Sequence, residues 1–554
     1  MSLPSTRLAR LGAAALAGAL LTACAQAPPR AADDPNAHVI VAEIALARGQ
    51  RETAAEEYEW ASETSSDTAL AGRAAEVALD SGRDDIAARA TNRWLALDSM
   101  NPAARRAAGF AALRLSQLPR AFELLDSSLT ATGAAGEREL SELIGKLANE
   151  ENAYGVFVIG RGIAAKRSES PAAQYAAGAF ALAAYNYTYA AEKAQRALDL
   201  QADLANAKRL LARSLVMSGN TERGLALARQ AAADGDIEAR LELGMLCEFA
   251  GDRAEARKQY ESLLESDAAH SDALYELALL DFRERHYDDA ARRFTELLTL
   301  GKQVGAAFYY LGAISERRGD RERAIRFYSR IVSGDYAVDA QLRTARLLRE
   351  GDMAEQGEAS LDAFLRDHPE YEVDLVIGWS RALSDQMQHR AAVELVDRYL
   401  ERYPWHLDLV MQRSLALDRA GRVAQALREL RRLLRERPDD PVVLNALGYT
   451  LVDHNQSLGE GEALVRRALA MMPDSPAMQD SLGWALFRRA RYPEAAATLR
   501  KAYEQVQDPE IAAHLGEALW KLGQRDQARD VWQEALAIAP ADPYLSSTLR
   551  RYAQ

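Results

Sequence analysis

The chain has 554 residues, with 81 acidic against 68 basic side chains for a net charge of −13. That acidic excess argues against a nucleic-acid partner, because a phosphate-binding surface needs a basic excess. The 8 histidines and 2 cysteines are dispersed and form no grouping with metal-ligand spacing, so no metal and no cofactor are expected.

The first predicted element is a signal peptide, residues 1–23. Arg7 and Arg10 precede an apolar run from Leu11 to Leu21, too short to span a bilayer. The run ends in Leu21-Thr22-Ala23-Cys24, the residue pattern of a bacterial lipobox, in which the Cys thiol receives diacylglycerol and the signal is cut before it. The competing reading is a plain signal-peptidase site with an incidental cysteine. Acyl chains on Cys24 would contribute about 0.8 kcal/mol per buried methylene, enough for stable anchoring when more than one chain is attached. Residues 24–37 then form the lipidated Cys and a Pro- and Ala-rich tether, able to extend ~40 Å. Ala25 stands where Asp, in enterobacterial-type lipoproteins, would favour retention at the inner membrane. That resemblance implies the periplasmic face of the outer membrane. Cys247 is left without a partner and falls on the packed face of a helix, where a small buried apolar residue is expected.

From Val39 onward one frame recurs about every 34 residues. Its marks in chain order are Gly49, Ala54 and Tyr58; Ala75, Gly82 and Ala87; Gly109, Ala121 and Leu125. After a faded stretch come Gly178, Tyr187 and Ala190; Leu211, Gly219 and Gly224; Leu243, Gly244, Ala256 and Tyr260; Leu277, Ala290 and Phe294; Leu311, Gly312, Ala324 and Tyr328. Gly351, Leu361 and Pro369, then Ala392 and Pro404, then Gly421, Ala426 and Pro438 carry it on. The last copies are Leu447, Gly448 and Ala468; Leu482, Gly483, Tyr492 and Ala495; and Leu515, Gly516, Gly523, Ala528, Trp532 and Pro540. Each unit reads as two helices. Gly516 and Ala528 let the backbones approach, while Leu515, Leu519, Trp532 and Ala535 supply the stripe that the packing buries.

This is the pattern of the tetratricopeptide repeat (TPR). It predicts an all-α solenoid, a right-handed superhelix of about 15 helical hairpins consuming ~510 residues. The expected organisation is N-terminal TPR-like repeats over 38–136, a degenerate helical pair over 137–170, central repeats over 171–370 and C-terminal repeats over 371–554. No stretch is left for a catalytic domain, so no catalytic residue is assigned and the protein is expected not to be an enzyme. Gly155 to Gly162 lacks dinucleotide-loop spacing, Ser481 lies inside a predicted helix, and the basic run Arg428 to Arg437 has acids and leucines at helical spacing.

With chemistry excluded, binding remains. In stacked TPR pairs the first helices line a concave groove. The groove positions read from the frame include Tyr275, Phe282, Arg283, Tyr309, Arg317, Asn445, Tyr449, Asp480, Trp484, Phe487, Arg488 and Trp520. Aromatic and arginine side chains are enriched at protein-binding hot spots. Tyr449 and Trp484 read as groove-facing; Phe487 and Trp520 read equally as packing between neighbouring helices.

The blocks NALGYTLVDHN from Asn445, DSLGWALFRRARYPEAAATLRKA from Asp480 and DPEIAAHLGEALWKLGQRDQARDVWQEAL from Asp508, with the lipobox, resemble the LbcA family of TPR lipoproteins. These are adaptors of a periplasmic carboxyl-terminal processing protease. The resemblance is strong over the C-terminal third and elsewhere extends to architecture. It implies an outer-membrane scaffold that binds the serine protease and presents clients such as peptidoglycan hydrolases for degradation. The alternative is a TPR scaffold lipoprotein in an envelope assembly such as exopolysaccharide export or pilus machinery. In either case the membrane is met through the lipid anchor only.

Overall fold

The same two-residue signal opens six first helices: an Asp, Asn or Ser at the cap position followed by proline. Asp34-Pro35, Asn101-Pro102, Ser170-Pro171, Asp440-Pro441, Ser475-Pro476 and Asp508-Pro509 each stand at a helix start. Proline fits the first helical position because its missing N–H would have no intrahelical acceptor there. Asp440 shows the capping: its Oδ1 accepts the N–H of Val442 at 2.9 Å and of Val443 at 3.2 Å. In unbroken pairs the first helix ends in a tight turn whose residue adopts positive φ. Gly251, Gly319, Gly421 and Gly523 supply it without steric penalty.

The computed structural model describes residues 34–233, 237–351, 353–404, 406–539 and 542–552. Cys24, the signal segment, the tether up to residue 33 and Pro540 lie outside these. Among the described residues there are 31 α-helices and no strand, the all-α succession of helical pairs that the repeat predicts. The pairs run α1 (Pro35–Ala47) with α2 (Arg51–Thr64), α3 (Thr68–Asp80) with α4 (Asp84–Leu97), α5 (Pro102–Arg114) with α6 (Leu118–Ser127), and α7 (Gly133–Leu147) with α8 (Ala153–Lys166). Next are α9 (Pro171–Ala183) with α10 (Tyr187–Leu200), α11 (Ala205–Met217) with α12 (Thr221–Ala233), α13 (Ile237–Phe249) with α14 (Arg253–Ser266), and α15 (Ser271–Arg283) with α16 (Tyr287–Leu300). Then come α17 (Val304–Arg317) with α18 (Arg321–Tyr328), α19 (Ala337–Glu350) with α20 (Ala354–Asp367), α21 (Glu372–Asp385) with α22 (His389–Arg402), and α23 (Leu407–Arg419) with α24 (Val423–Glu436). The last are α25 (Pro441–Asp453) with α26 (Leu458–Met471), α27 (Pro476–Arg488) with α28 (Tyr492–Gln505), α29 (Pro509–Lys521) with α30 (Arg525–Ile538), and a closing helix α31 (Pro543–Tyr552).

The first helix starts at Pro35, ahead of the tether end placed at residue 37, because Asp34 caps the N–H of Asn36 at 3.0 Å. Gly155 to Gly162 lies within α8, and Gly160 serves packing there: a Cβ on it would stand 2.5 Å from the Phe180 ring.

The helices form two compact units, Met1–Leu140 and Ser141–Gln554. Helices α1 to α4 of the first have a core built mainly of alanine, with Ala42, Ala54, Ala55, Ala74, Ala75 and Ala78 around Tyr58 and Ile86. The second packs larger side chains. Glycine in the first helix meets a ring from the second: Tyr260 against Gly244, Tyr328 against Gly312 and Trp532 against Gly516, in contacts that leave no room for a Cβ. Each of these rings is at most 1% exposed. Cys247 is fully buried, and burial pushes its thiol above the ordinary value, so it packs as an apolar side chain.

Candidate functional site

Within the second unit second helices pack on the next first helix, and first helices also touch one another in three runs: α9 to α11, α13 and α15 in turn, α19 to α21 and α23, and α25 to α27, α29 and α31. These runs, with α17 joined to α19 through the Tyr309 and Tyr336 rings, make up the inner row. Of the twelve residues expected along it, eleven fall into two clusters or flank them, and Arg317 stands exposed at the end of α17.

The central cluster is an aromatic sheet across α15, α17 and α19. The Tyr275 hydroxyl lies 2.9 Å from that of Tyr336, which precedes α19. Tyr309 donates to Asp339, and its ring stands 4.6 Å from that of Tyr336. Arg343 binds Asp339 through Nε at 2.9 Å and lies over the Tyr309 ring at 5.2 Å. Burial raises the Tyr275 and Tyr309 hydroxyls well above their ordinary pKa, so both stay protonated. Phe282 meets Tyr310 edge-on at 5.3 Å, and Arg283 is an exposed partner of Glu248 on α13.

The C-terminal cluster is built around His514 of α29, which is fully buried. One ring nitrogen lies 2.8 Å from Asp480 Oδ1 and the other 3.0 Å from the Tyr544 hydroxyl. Trp484 stacks on the imidazole at 4.2 Å and on Phe487 at 4.9 Å, and its indole N–H donates to Asp453 at 2.9 Å. Tyr449 donates to Glu510 at 2.8 Å. Burial raises the Glu510 carboxyl above its usual range and drives the Tyr449 hydroxyl well up. Burial works against a charged His514, yet Asp480, Glu510 and Glu517 outweigh it and hold the imidazole above its usual pKa. Arg488 donates to the Asp453 carbonyl and lies over Trp484 at 5.7 Å. Trp520 is half-buried, 5.8 Å from Trp532, with Arg525 and Arg529 over it at 5.2 and 5.6 Å. Asn445 is half-buried, and its Oδ1 has no partner.

Trp484 is only 4% exposed and Asp480 only 7%, so these two brace the row from beneath. Phe487, Arg488 and Trp520 keep accessible surface, as do Arg283 and Arg317. His514 has both nitrogens and one ring face occupied, which leaves it no free position from which to transfer a proton to a substrate.

Asp281, Glu284 and His286 bring three donor atoms within 4.8 Å of one another, a convergence that their sequence spacing did not disclose. Arg257 already holds Asp281 at 2.8 Å and Glu284 at 2.6 Å, and Arg293 also binds Asp281. With two guanidinium groups in place the cluster is an ion-pair node, electrostatically closed to a divalent cation.

His514, Glu510 and Tyr544, and Tyr310, Tyr336, Asp339 and Arg343, were outside the expected set. The reason is the reach of the tyrosines. Tyr275 to Tyr336 and Tyr449 to Glu510 each span 61 residues, from one first helix across the next to the third. A frame of one repeat compares neighbours only. Tyrosine two residues before Leu277 and Leu311, and directly after Leu447-Gly448, is the signal that an offset of two repeats could have used.

The tetratricopeptide-repeat family matches residues 275–340, 377–441, 445–510 and 481–543. Over 214 residues the chain is 30% identical to the TPR repeat-containing protein PA4667 of Pseudomonas aeruginosa, covering 39% of this chain and 36% of that one. It is 22% identical over 231 residues to the DnaJ homolog subfamily C member 3 of Mus musculus, covering 41% and 42%. The chain thus spans about two-fifths of the length of the curated relatives it matches. Among solved structures it is similar to TTC0263, a TPR protein of Thermus thermophilus, at 21% identity over 33% of this chain and 97% of that one, with a TM-score of 0.30.

Proposed function

Because the chain is built from tetratricopeptide repeats, we propose that it is a non-enzymatic scaffold lipoprotein, anchored through Cys24 at the periplasmic face of the outer membrane. Its inner row would hold a carboxyl-terminal processing serine protease and that protease's clients, among them peptidoglycan hydrolases. TPR arrays are protein-interaction scaffolds. The observation that carries the reading is the recurrence of accessible aromatic and arginine side chains, Phe487, Arg488, Trp520 and Arg317, along one row of first helices. The protease-adaptor part rests on the resemblance of the blocks from Asn445, Asp480 and Asp508 to LbcA-type lipoproteins.

Affinity capture of the tethered protein from an envelope extract tests the partner. Recovery of a serine protease together with wall hydrolases is expected; recovery of secretion or polysaccharide-export components alone would replace the adaptor by an assembly scaffold. Anchoring has its own test. Metabolic palmitate should label the wild type and not Cys24→Ala, and labelling that survives the substitution would rule the anchor out.

A further inference from the structure

Two contacts join parts of the second unit that are far apart in the chain. At the first, the carbonyl of Tyr185, in the turn between α9 and α10, accepts the Asp474 N–H at 2.9 Å. Asp474 Oδ2 in turn accepts the N–H of Tyr187, the first residue of α10, at 3.0 Å and from 287 positions away. A carboxylate thereby sits on a helix N-terminus, the end where backbone N–H groups lack acceptors and negative charge is favoured. Lys501 holds the other carboxylate oxygen at 3.0 Å. Beside this contact Tyr154 of α8 packs into a cluster with Leu444, Met472 and Met478.

At the second, Arg285, in the turn between α15 and α16, donates to the Ala537 carbonyl at 2.8 Å across 252 positions. Ala537 lies in the last turn of α30, where carbonyls lack intrahelical donors and a cation is favoured. Both contacts place the charge that the helix end prefers, Asp474 from the link between two pairs and Arg285 from the turn within one.

We propose that these two clasps close the second unit on itself, so that the pairs between α9 and α30 form a collar that bears the inner row, and that parting the clasps widens access to that row. The suggestion that a protein then enters rests on the reading above; the closure itself does not. Inside a collar of this kind each pair is bonded to its neighbours by continuous apolar packing, whereas the clasps are polar contacts at helix ends, with one small apolar patch around Tyr154 beside the first. They are the joints at which the unit parts with least loss of buried surface.

Nitroxide labels on Thr188→Cys and Ala477→Cys, two exposed positions flanking the first clasp, report closure directly by electron-spin distance measurement on the full chain. Cys24→Ser removes the competing thiol, and Cys247 is buried. One short, narrow distance is expected. Asp474→Ala combined with Arg285→Ala should move the distribution to longer, broader values while leaving helix content and melting temperature close to the parent. Arg285→Ala alone, at an exposed side chain, guards against misfolding and should broaden the distribution in part. A long, broad distribution in the parent, or one that the double substitution leaves unchanged, overturns the proposal. Absence of partner capture by the parent, with the distances as expected, would count against the protein-binding reading alone.

Discussion

His514 stores a pH dependence in the C-terminal pairs. Its folded pKa is raised, chiefly because Asp480 at 2.8 Å more than offsets burial. A raised folded value stabilises the fold fully below the unfolded pKa of about 6.5, and the contribution is lost as pH rises through the folded value. Glu510, raised by burial, acts with the same sign from its ordinary 4.5 upward. The urea midpoint of the C-terminal pairs is therefore expected to fall as pH rises above about 6.5, and to fall less in His514→Gln. An equal fall in both proteins would remove His514 as the cause. The Tyr449 hydroxyl donates to Glu510, so Tyr449→Phe leaves a buried carboxyl with less support. A loss of about 1.5–3 kcal/mol in chemical denaturation is expected. Surface and brace should separate in a partner-binding assay. Trp484→Ala, at a nearly buried ring, lowers melting by the equivalent of about 3–5 kcal/mol. Arg317→Ala, at an exposed side chain with no ion pair among the described residues, leaves melting unchanged, and an effect on affinity there would mark it as a contact.

At the scale of the helix, the pair joint is a glycine under a ring. Trp532 is 1% exposed and has nowhere to move when a Cβ is placed on Gly516. Gly516→Ala should destabilise by about 1–3 kcal/mol, although alanine is the better helix former. A stabilised variant would mean that α29 and α30 can separate freely. The frame of glycine, alanine and aromatic residues made these joints legible in the sequence, because each residue type answers to a local packing demand. The clusters on the inner row were legible only in part. Tyr275, Tyr309 and Tyr449 were legible as row positions, but not what they bind, and Trp484, read as groove-facing, is nearly buried under the His514 ring. The reason is that Tyr336, Asp339, Glu510 and His514 arrive from helices one or two pairs away.

Across the molecule, cohesion is uneven. Helices α1 to α4 of the first unit bury mostly alanine, with Tyr58 and Ile86 as their larger anchors, while the C-terminal cluster packs Trp532, Tyr503, Leu499, Leu515 and Leu519. Buried apolar area contributes about 25 cal/mol per Å², so small side chains hold neighbouring pairs less tightly. In native-state hydrogen exchange, amides of α1 to α4 should open at lower free energy than those of α27 to α30. Equal protection in the two regions would show that side-chain size does not set the order of opening.

The sequence by itself determined the repeat, the number of pairs, the absence of strand patterning and the positions that meet as each hairpin folds, because hairpin formation depends on residues within about one period. Tertiary structure decided which side chains of the inner row are buried braces and which stay open. It also decided that Asp281 and Glu284 belong to Arg257, and that Asp474 and Arg285 reach helix ends 287 and 252 positions away. Those outcomes depend on the curvature accumulated over many pairs, a sum of small rotations that no single repeat encodes.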